Sequence, residues 1–154
     1  MLTTASPARP ARGTLRYYSF ASWLFVLLGL LHNVVFVLRS SMNPAVRVQN
    51  PVIQSMEDYK IELFGTHTML QFYEGFSLTM GCLFLLLGFM NVLVSRSLPL
   101  PALRSAALFN AFACLVLTAL SLVYFHLLAT SFLLLSLLGY ALFYIMTRGR
   151  AARS

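Results

Sequence analysis

Residues 105 to 147 contain no Asp, Glu, Lys or Arg, and no other feature restricts the fold of this chain so strongly. One unbroken helix over that stretch would extend about 60 Å, against a bilayer hydrocarbon core of about 30 Å. Two crossings must therefore share it. Its least apolar segment is YFHLLATS, residues 124 to 131, where a tight turn is expected although neither glycine nor proline marks it. Two further apolar runs come earlier, FASWLFVLLGLLHNVVFVL at 20 to 38 and SLTMGCLFLLLGFMNVLV at 77 to 94. The expected spans are 19–38, 68–94, 103–124 and 128–147. Backbone amides in lipid must be satisfied within each segment, which excludes an open sheet. The predicted fold class is all-α, a polytopic membrane protein built as a four-transmembrane-helix bundle with a longer outer loop between helices 1 and 2.

Composition points the same way. Hydrophobic residues make up 59% of the chain and charged ones 10%, against about a quarter charged in soluble domains. The bilayer is the first expected partner, and nucleic acid is excluded because the +7 charge is scattered over ends and connections. Residues 1–18 and 148–154 read as cytoplasmic tails, the first disordered, with Tyr17, Tyr18 and Trp23 in an aromatic belt at the membrane entrance. Arg39 and the following SSMNPA offer no cleavage site, so the first helix is expected to stay in the mature protein. Arg9, Arg12, Arg16, Arg96, Arg104, Arg148, Arg150 and Arg153 would share one side of a four-span protein, leaving Arg39, Arg47 and Lys60 opposite. The excess of positive residues assigns both termini to the cytoplasm.

The outer connection holds Asn43-Pro44 and Asn50-Pro51 turn signals and then MEDYKIELF, which reads either as a short interfacial helix or as an extended piece. Small and weakly polar residues recur within the spans: Ser22, Gly29 and Asn33 in the first, Gly81, Gly88 and Asn91 in the second, and Ser136, Gly139 and Tyr140 in the fourth. In the third, Ala107, Ala111, Cys114, Thr118 and Ser121 follow at three- and four-residue intervals with Asn110 beside them. Such stripes admit close helix approach, and Asn110, Thr118 and Ser121 are expected to hydrogen-bond across it. Cys82 and Cys114 form no CxxC pair and read as packing thiols.

GTHTMLQFYEGF, residues 65 to 76, is the most polar approach to any span. Thr68 and Gln71 have capping-box spacing, placing a helix start at Thr66 to Thr68. His67, Gln71 and Glu74 would then share one helix face, with Tyr73 adjacent. His32, Asn33 and His126 are expected at similar outer depth, and the candidate polar cluster is His32, Asn33, His67, Gln71, Tyr73, Glu74 and His126. Convergence would make a pocket for a small apolar or amphipathic ligand, or a seat for a membrane-protein partner or a second copy. Dispersal would leave these groups anchoring helices at the headgroups. No cofactor is assigned: HExxH, GxSxG and phosphate loops are absent, leaving a quinone or metal at the cluster as the alternative.

The run GTHTMLQFYEGFSLTMG, through Gly65, Thr66, Thr68, Met69, Phe72, Tyr73, Gly75, Phe76, Ser77 and Gly81, with GLLH around His32, resembles the signature of a family of bacterial four-span membrane proteins loosely similar to the DoxX-like proteins. The resemblance implies the same four-span fold in the inner membrane and, through the DoxX-like proteins, quinone- or thiol-linked redox work. Leu70-Gln71 departs from the aromatic residue and aspartate expected there, and the thiol version would need a cysteine pair.

Overall fold

A computed structural model describes residues 12–41, 50–62 and 65–148. Helix α1 spans Arg12–Ser40, α2 Pro51–Asp58, α3 Met69–Ser97, α4 Leu100–Tyr124 and α5 Leu127–Arg148; strands β1, Lys60–Glu62, and β2, Thr66–Thr68, separate α2 from α3. Four of these helices are long and apolar enough to cross a membrane, and the chain is an all-α, multi-pass membrane protein. The turn expected within 124 to 131 is present, with only Phe125 and His126 between α4 and α5. Residues 1–11 and 149–154, most of the two expected tails, and the Asn43-Pro44 turn lie outside the described residues.

The chain divides into two compact units, one made of residues 1–28 and 85–154 and the other of 29–84. In the first, the N-terminal part of α1, the C-terminal part of α3, and all of α4 and α5 pack as a bundle. Tyr18 of α1 meets Tyr140 and Phe143 of α5 edge-on, with ring centroids 5.0 and 5.3 Å apart. Such pairs add about 0.5–1.5 kcal/mol each beyond the area they bury. Two glycines set the interhelical spacing. A Cβ on Gly139 would stand 3.0 Å from the Tyr17 carbonyl oxygen, and one on Gly88 would stand 2.6 Å from the Val26 amide nitrogen.

The expected packing stripe of the third span is buried as a set: Ala107, Asn110, Ala111, Cys114, Thr118 and Ser121 all face inward. Ser121 hydrogen-bonds Thr130 of α5 at 2.8 Å, and Asn110 reaches α1 and α3. Thr118 departs from expectation, because its hydroxyl is enclosed without a hydrogen-bond partner. Gly29, Gly81, Gly88 and Gly139 are buried as well.

Two features of the fold differ from the sequence expectation. The N-terminal tail was expected to run to residue 18, but α1 begins at Arg12 and Thr14 and Tyr18 are buried one turn apart. Tyr18 is a core residue, whereas Tyr17 and Trp23 stay exposed. The reason is register: Thr14, Tyr18, Ala21 and Phe25 follow one another at three- and four-residue steps, so the inward face of α1 extends past the apolar run. The second difference concerns Cys82, which is exposed, unlike the buried Cys114.

The second unit holds the C-terminal part of α1, the connection, and the N-terminal part of α3. Asn50-Pro51 begins a helix instead of making a simple turn: the Asn50 side chain accepts from the Val52 amide at 3.0 Å and Pro51 occupies the first turn. MEDYKIELF takes both of the forms considered for it, Met56 to Asp58 closing α2 and Lys60 to Glu62 forming β1. That strand pairs antiparallel with β2, Ile61 opposite His67. Gly65 enters β2 at φ +132°, a conformation that disfavours side chains.

Thr66 to Thr68 is therefore strand, and α3 begins at Met69. The expected capping box is intact at that boundary. The Gln71 amide donates to Thr68 Oγ1 at 3.2 Å, and the Thr68 amide donates to Gln71 Oε1 at 3.1 Å. Replacing a hydroxyl cap by alanine costs about 1 kcal/mol. Thr68→Ala should accordingly speed amide exchange in the first turn of α3 by about fivefold, read by hydrogen–deuterium exchange on a peptide covering 69 to 73. An unaltered rate there would show that the cap does not hold this helix end.

Candidate functional site

The most organised polar group of the second unit lies on α1 and α3. His32 Nε2 stands 2.9 Å from the Ser77 carbonyl oxygen and 3.0 Å from Ser77 Oγ. A carbonyl oxygen can only accept, so Nε2 carries the proton and donates. In the neutral ring Nδ1 is then an acceptor, and it has no hydrogen-bond partner among the described residues. Both His32 and Ser77 are half-buried.

Asn33 is packed beside this pair. Its amide nitrogen donates to Cys82 Sγ at 3.7 Å, while Oδ1 is enclosed with no hydrogen-bond partner. The absence of a side chain at Gly81 makes room for it: a Cβ there would collide with Asn33 Oδ1 and lie 2.6 Å from its Cγ. The close approach of α1 and α3 in this unit thus consists of a carboxamide lying on a glycine, with an imidazole bonded to a serine one turn away on α3. Elsewhere on these segments large apolar residues are exposed, among them Leu31, Val34, Val35, Phe76 and Leu78.

The other members of the expected cluster have different positions. His67 is exposed on β2, opposite Ile61. It cannot share a helix face with Gln71 and Glu74, because the helical spacing that would align them begins only at Met69. Gln71 is exposed and its side chain is committed to the capping box. Glu74 is half-buried on α3, and Tyr73 next to it is exposed. His126 belongs to the first unit, where it caps α5: its Nδ1 accepts from the Ala129 amide at 3.3 Å. Of the candidate residues, His32 and Asn33, adjacent in the chain, meet Ser77 and Cys82 of α3, two residues outside the expected cluster. A usable signal existed. Ser77, Gly81 and Gly88 repeat at four and seven residues, a small-residue face on which polar side chains of another helix can come to rest. Among the described residues, no three of His, Cys, Asp and Glu could together hold a metal ion.

A second polar group, in the first unit, is closed on itself. Tyr18 Oη donates to Asn91 Oδ1 at 2.8 Å, and Asn110 Nδ2 donates to the same oxygen at 2.6 Å and to Tyr18 Oη at 3.2 Å. Asn91 Nδ2 donates to the Leu87 carbonyl at 3.0 Å. Ser22 donates to the Tyr18 carbonyl at 2.9 Å and lies 3.2 Å from Tyr140 Oη. These groups tie α1, α3, α4 and α5 together and leave little hydrogen-bonding capacity for a ligand. This network is a packing device.

No protein-family model, no curated protein and no solved structure matches the chain.

Proposed function

We propose that the protein is a non-enzymatic multi-pass membrane protein that holds a small amphipathic ligand against α1 and α3 of the second unit. The observation that supports this reading is the state of His32: half-buried in an apolar helix, its Nε2 committed to Ser77, its Nδ1 without a hydrogen-bond partner among the described residues. Polar groups within membrane helices are costly and mark functional positions by default. A ligand presenting a hydroxyl or amide N–H to Nδ1 would satisfy it, while its apolar body lay along the exposed Leu31, Val35 and Phe76. With eight of the eleven basic residues in the terminal segments or within five residues of the α3–α4 connection, both termini are cytoplasmic and the His32 site opens in the outer half of the membrane.

The redox alternative uses the same atom. A quinol carries the hydroxyl that an imidazole acceptor would bind, in keeping with the DoxX-like resemblance. Lipid and quinone mass spectrometry on gently purified protein tests both readings. Wild-type protein should retain one amphipathic species at near-stoichiometric amounts. His32→Ala should weaken its retention by roughly 2- to 10-fold, the worth of one net hydrogen bond. His126→Ala should leave retention unchanged. A retained quinone would select the redox reading, and equal ligand content in wild-type and His32→Ala protein would refute the site.

A further inference from the structure

We infer a second binding site, in the first unit, for the phosphate of an anionic membrane lipid, centred on Arg104 of α4. Charge balance supplies the first argument. The chain has four Asp and Glu residues, namely Glu57, Asp58, Glu62 and Glu74, and all belong to the second unit. The first unit has no carboxylate side chain, yet it holds Arg9, Arg12, Arg16, Arg96, Arg104, Arg148, Arg150 and Arg153. No carboxylate side chain of the unit can neutralise them.

Geometry gathers four of these arginines at one end. Tyr18, Asn91, Asn110 and Tyr140 lie at one level, as their mutual contacts require. From that level Arg16 is two residues back along α1, Arg96 five residues on along α3, Arg104 six residues back along α4, and Arg148 eight residues on along α5. Neighbouring segments alternate in direction, so all four steps lead the same way, by roughly 3 to 12 Å at 1.5 Å per residue.

Arg104 differs from the other three. Arg16, Arg96 and Arg148 are exposed, whereas Arg104 is half-buried, its guanidinium carbon 6.0 Å from the centre of the Tyr144 ring on α5. Its Nε is enclosed without a hydrogen-bond partner, while the two terminal nitrogens are not enclosed. The ring lies within cation–π reach of the guanidinium and favours its charge from one side. With Nε enclosed, the fork has its terminal N–H groups left for bidentate contact with a phosphate, the geometry in which Arg exceeds Lys. On α4 the exposed Leu108 and Phe112 follow one and two turns further on. An acyl chain anchored at Arg104 would run along them. Free phosphate shares the headgroup chemistry but could not use that apolar track.

The test is native mass spectrometry of the full chain in detergent, titrated with dioleoyl phosphatidylglycerol, with dioleoyl phosphatidylcholine, and with phosphatidylglycerol in the presence of 10 mM inorganic phosphate. Phosphatidylglycerol should bind about tenfold more tightly than phosphatidylcholine, and inorganic phosphate should not displace it. Arg104→Gln should lower phosphatidylglycerol affinity at least tenfold, and Arg148→Gln less than about threefold. Equal affinity for the two lipids, or equal losses in the two variants, would overturn the site; displacement by inorganic phosphate would overturn its assignment to lipid. If Arg104→Gln does not fold, the Arg104→Lys and Arg148→Lys pair decides. Loss confined to Arg104→Lys supports the bidentate fork, and no loss in either refutes it.

Discussion

Tyr18→Ala is expected to destabilise the protein by about 3–5 kcal/mol, the usual cost of emptying a buried aromatic site. Tyr18 is fully buried, and its ring contacts two aromatic rings of α5 while its hydroxyl joins α3 and α4. Tyr18→Phe separates these contributions. Asn110 still reaches Asn91 Oδ1 at 2.6 Å once the hydroxyl is gone, so the network keeps its principal bond and no Asn91 acceptor is stranded. Interhelical hydrogen bonds in membrane proteins average about 0.6 kcal/mol and reach about 1.7. Tyr18→Phe should therefore cost about 1 kcal/mol. Reversible unfolding in mixed micelles would read both values. Similar losses in the two variants would mean that the hydroxyl, not the ring, carries the stability of this bundle.

Gly88→Ala should destabilise by about 1–3 kcal/mol, as inserted methyl groups do in packed interiors, although alanine is the better helix former. The added Cβ would lie 2.6 Å from both the Val26 amide nitrogen and Val26 Cγ2, and 3.0 Å from the Ser22 carbonyl oxygen. Two of these atoms are backbone, so α1 itself must move. Gly75→Ala on the same helix is the control, because nothing lies within 4 Å of its added Cβ. There the helix preference acts unopposed, and a gain of about 0.5–1 kcal/mol is expected. The two substitutions should change stability in opposite directions in one unfolding assay. A Gly88→Ala variant as stable as wild type would show that the α1–α3 contact can open without loss.

Hydropathy located the four spans and the short α4–α5 turn because a bilayer imposes a length on every crossing. The Thr68–Gln71 cap was legible for a similar reason: both of its hydrogen bonds close within four residues. The third-span stripe was also legible, since Ala107, Ala111, Cys114 and Ser121 repeat with the helical period and so must share a face. The polar cluster was not. Gln71 was placed with a ligand site on helical spacing, yet the same spacing gave it to the cap. His67 was assigned to a helix because Thr66 and Thr68 resemble a helix start, whereas pairing with Lys60 to Glu62 holds that segment as a strand. Local pattern could not weigh cross-strand partners that lie four to eight residues away in the chain.

Apolar run lengths establish from the sequence that this chain has four helices long enough to cross a membrane, because that number follows from one-dimensional matching of segments to a slab. Which side chains meet was a matter of packing. Membrane helices gain little hydrophobic energy from one another, so their lateral arrangement depends on where small residues allow backbones to approach and where polar groups find partners. Gly81 seats Asn33 beside the His32–Ser77 pair, and Gly88 brings α1 close enough for Tyr18 to reach Asn91. Those meetings join residues 45 to 73 positions apart in the chain, a separation over which hydropathy and helical period carry no information.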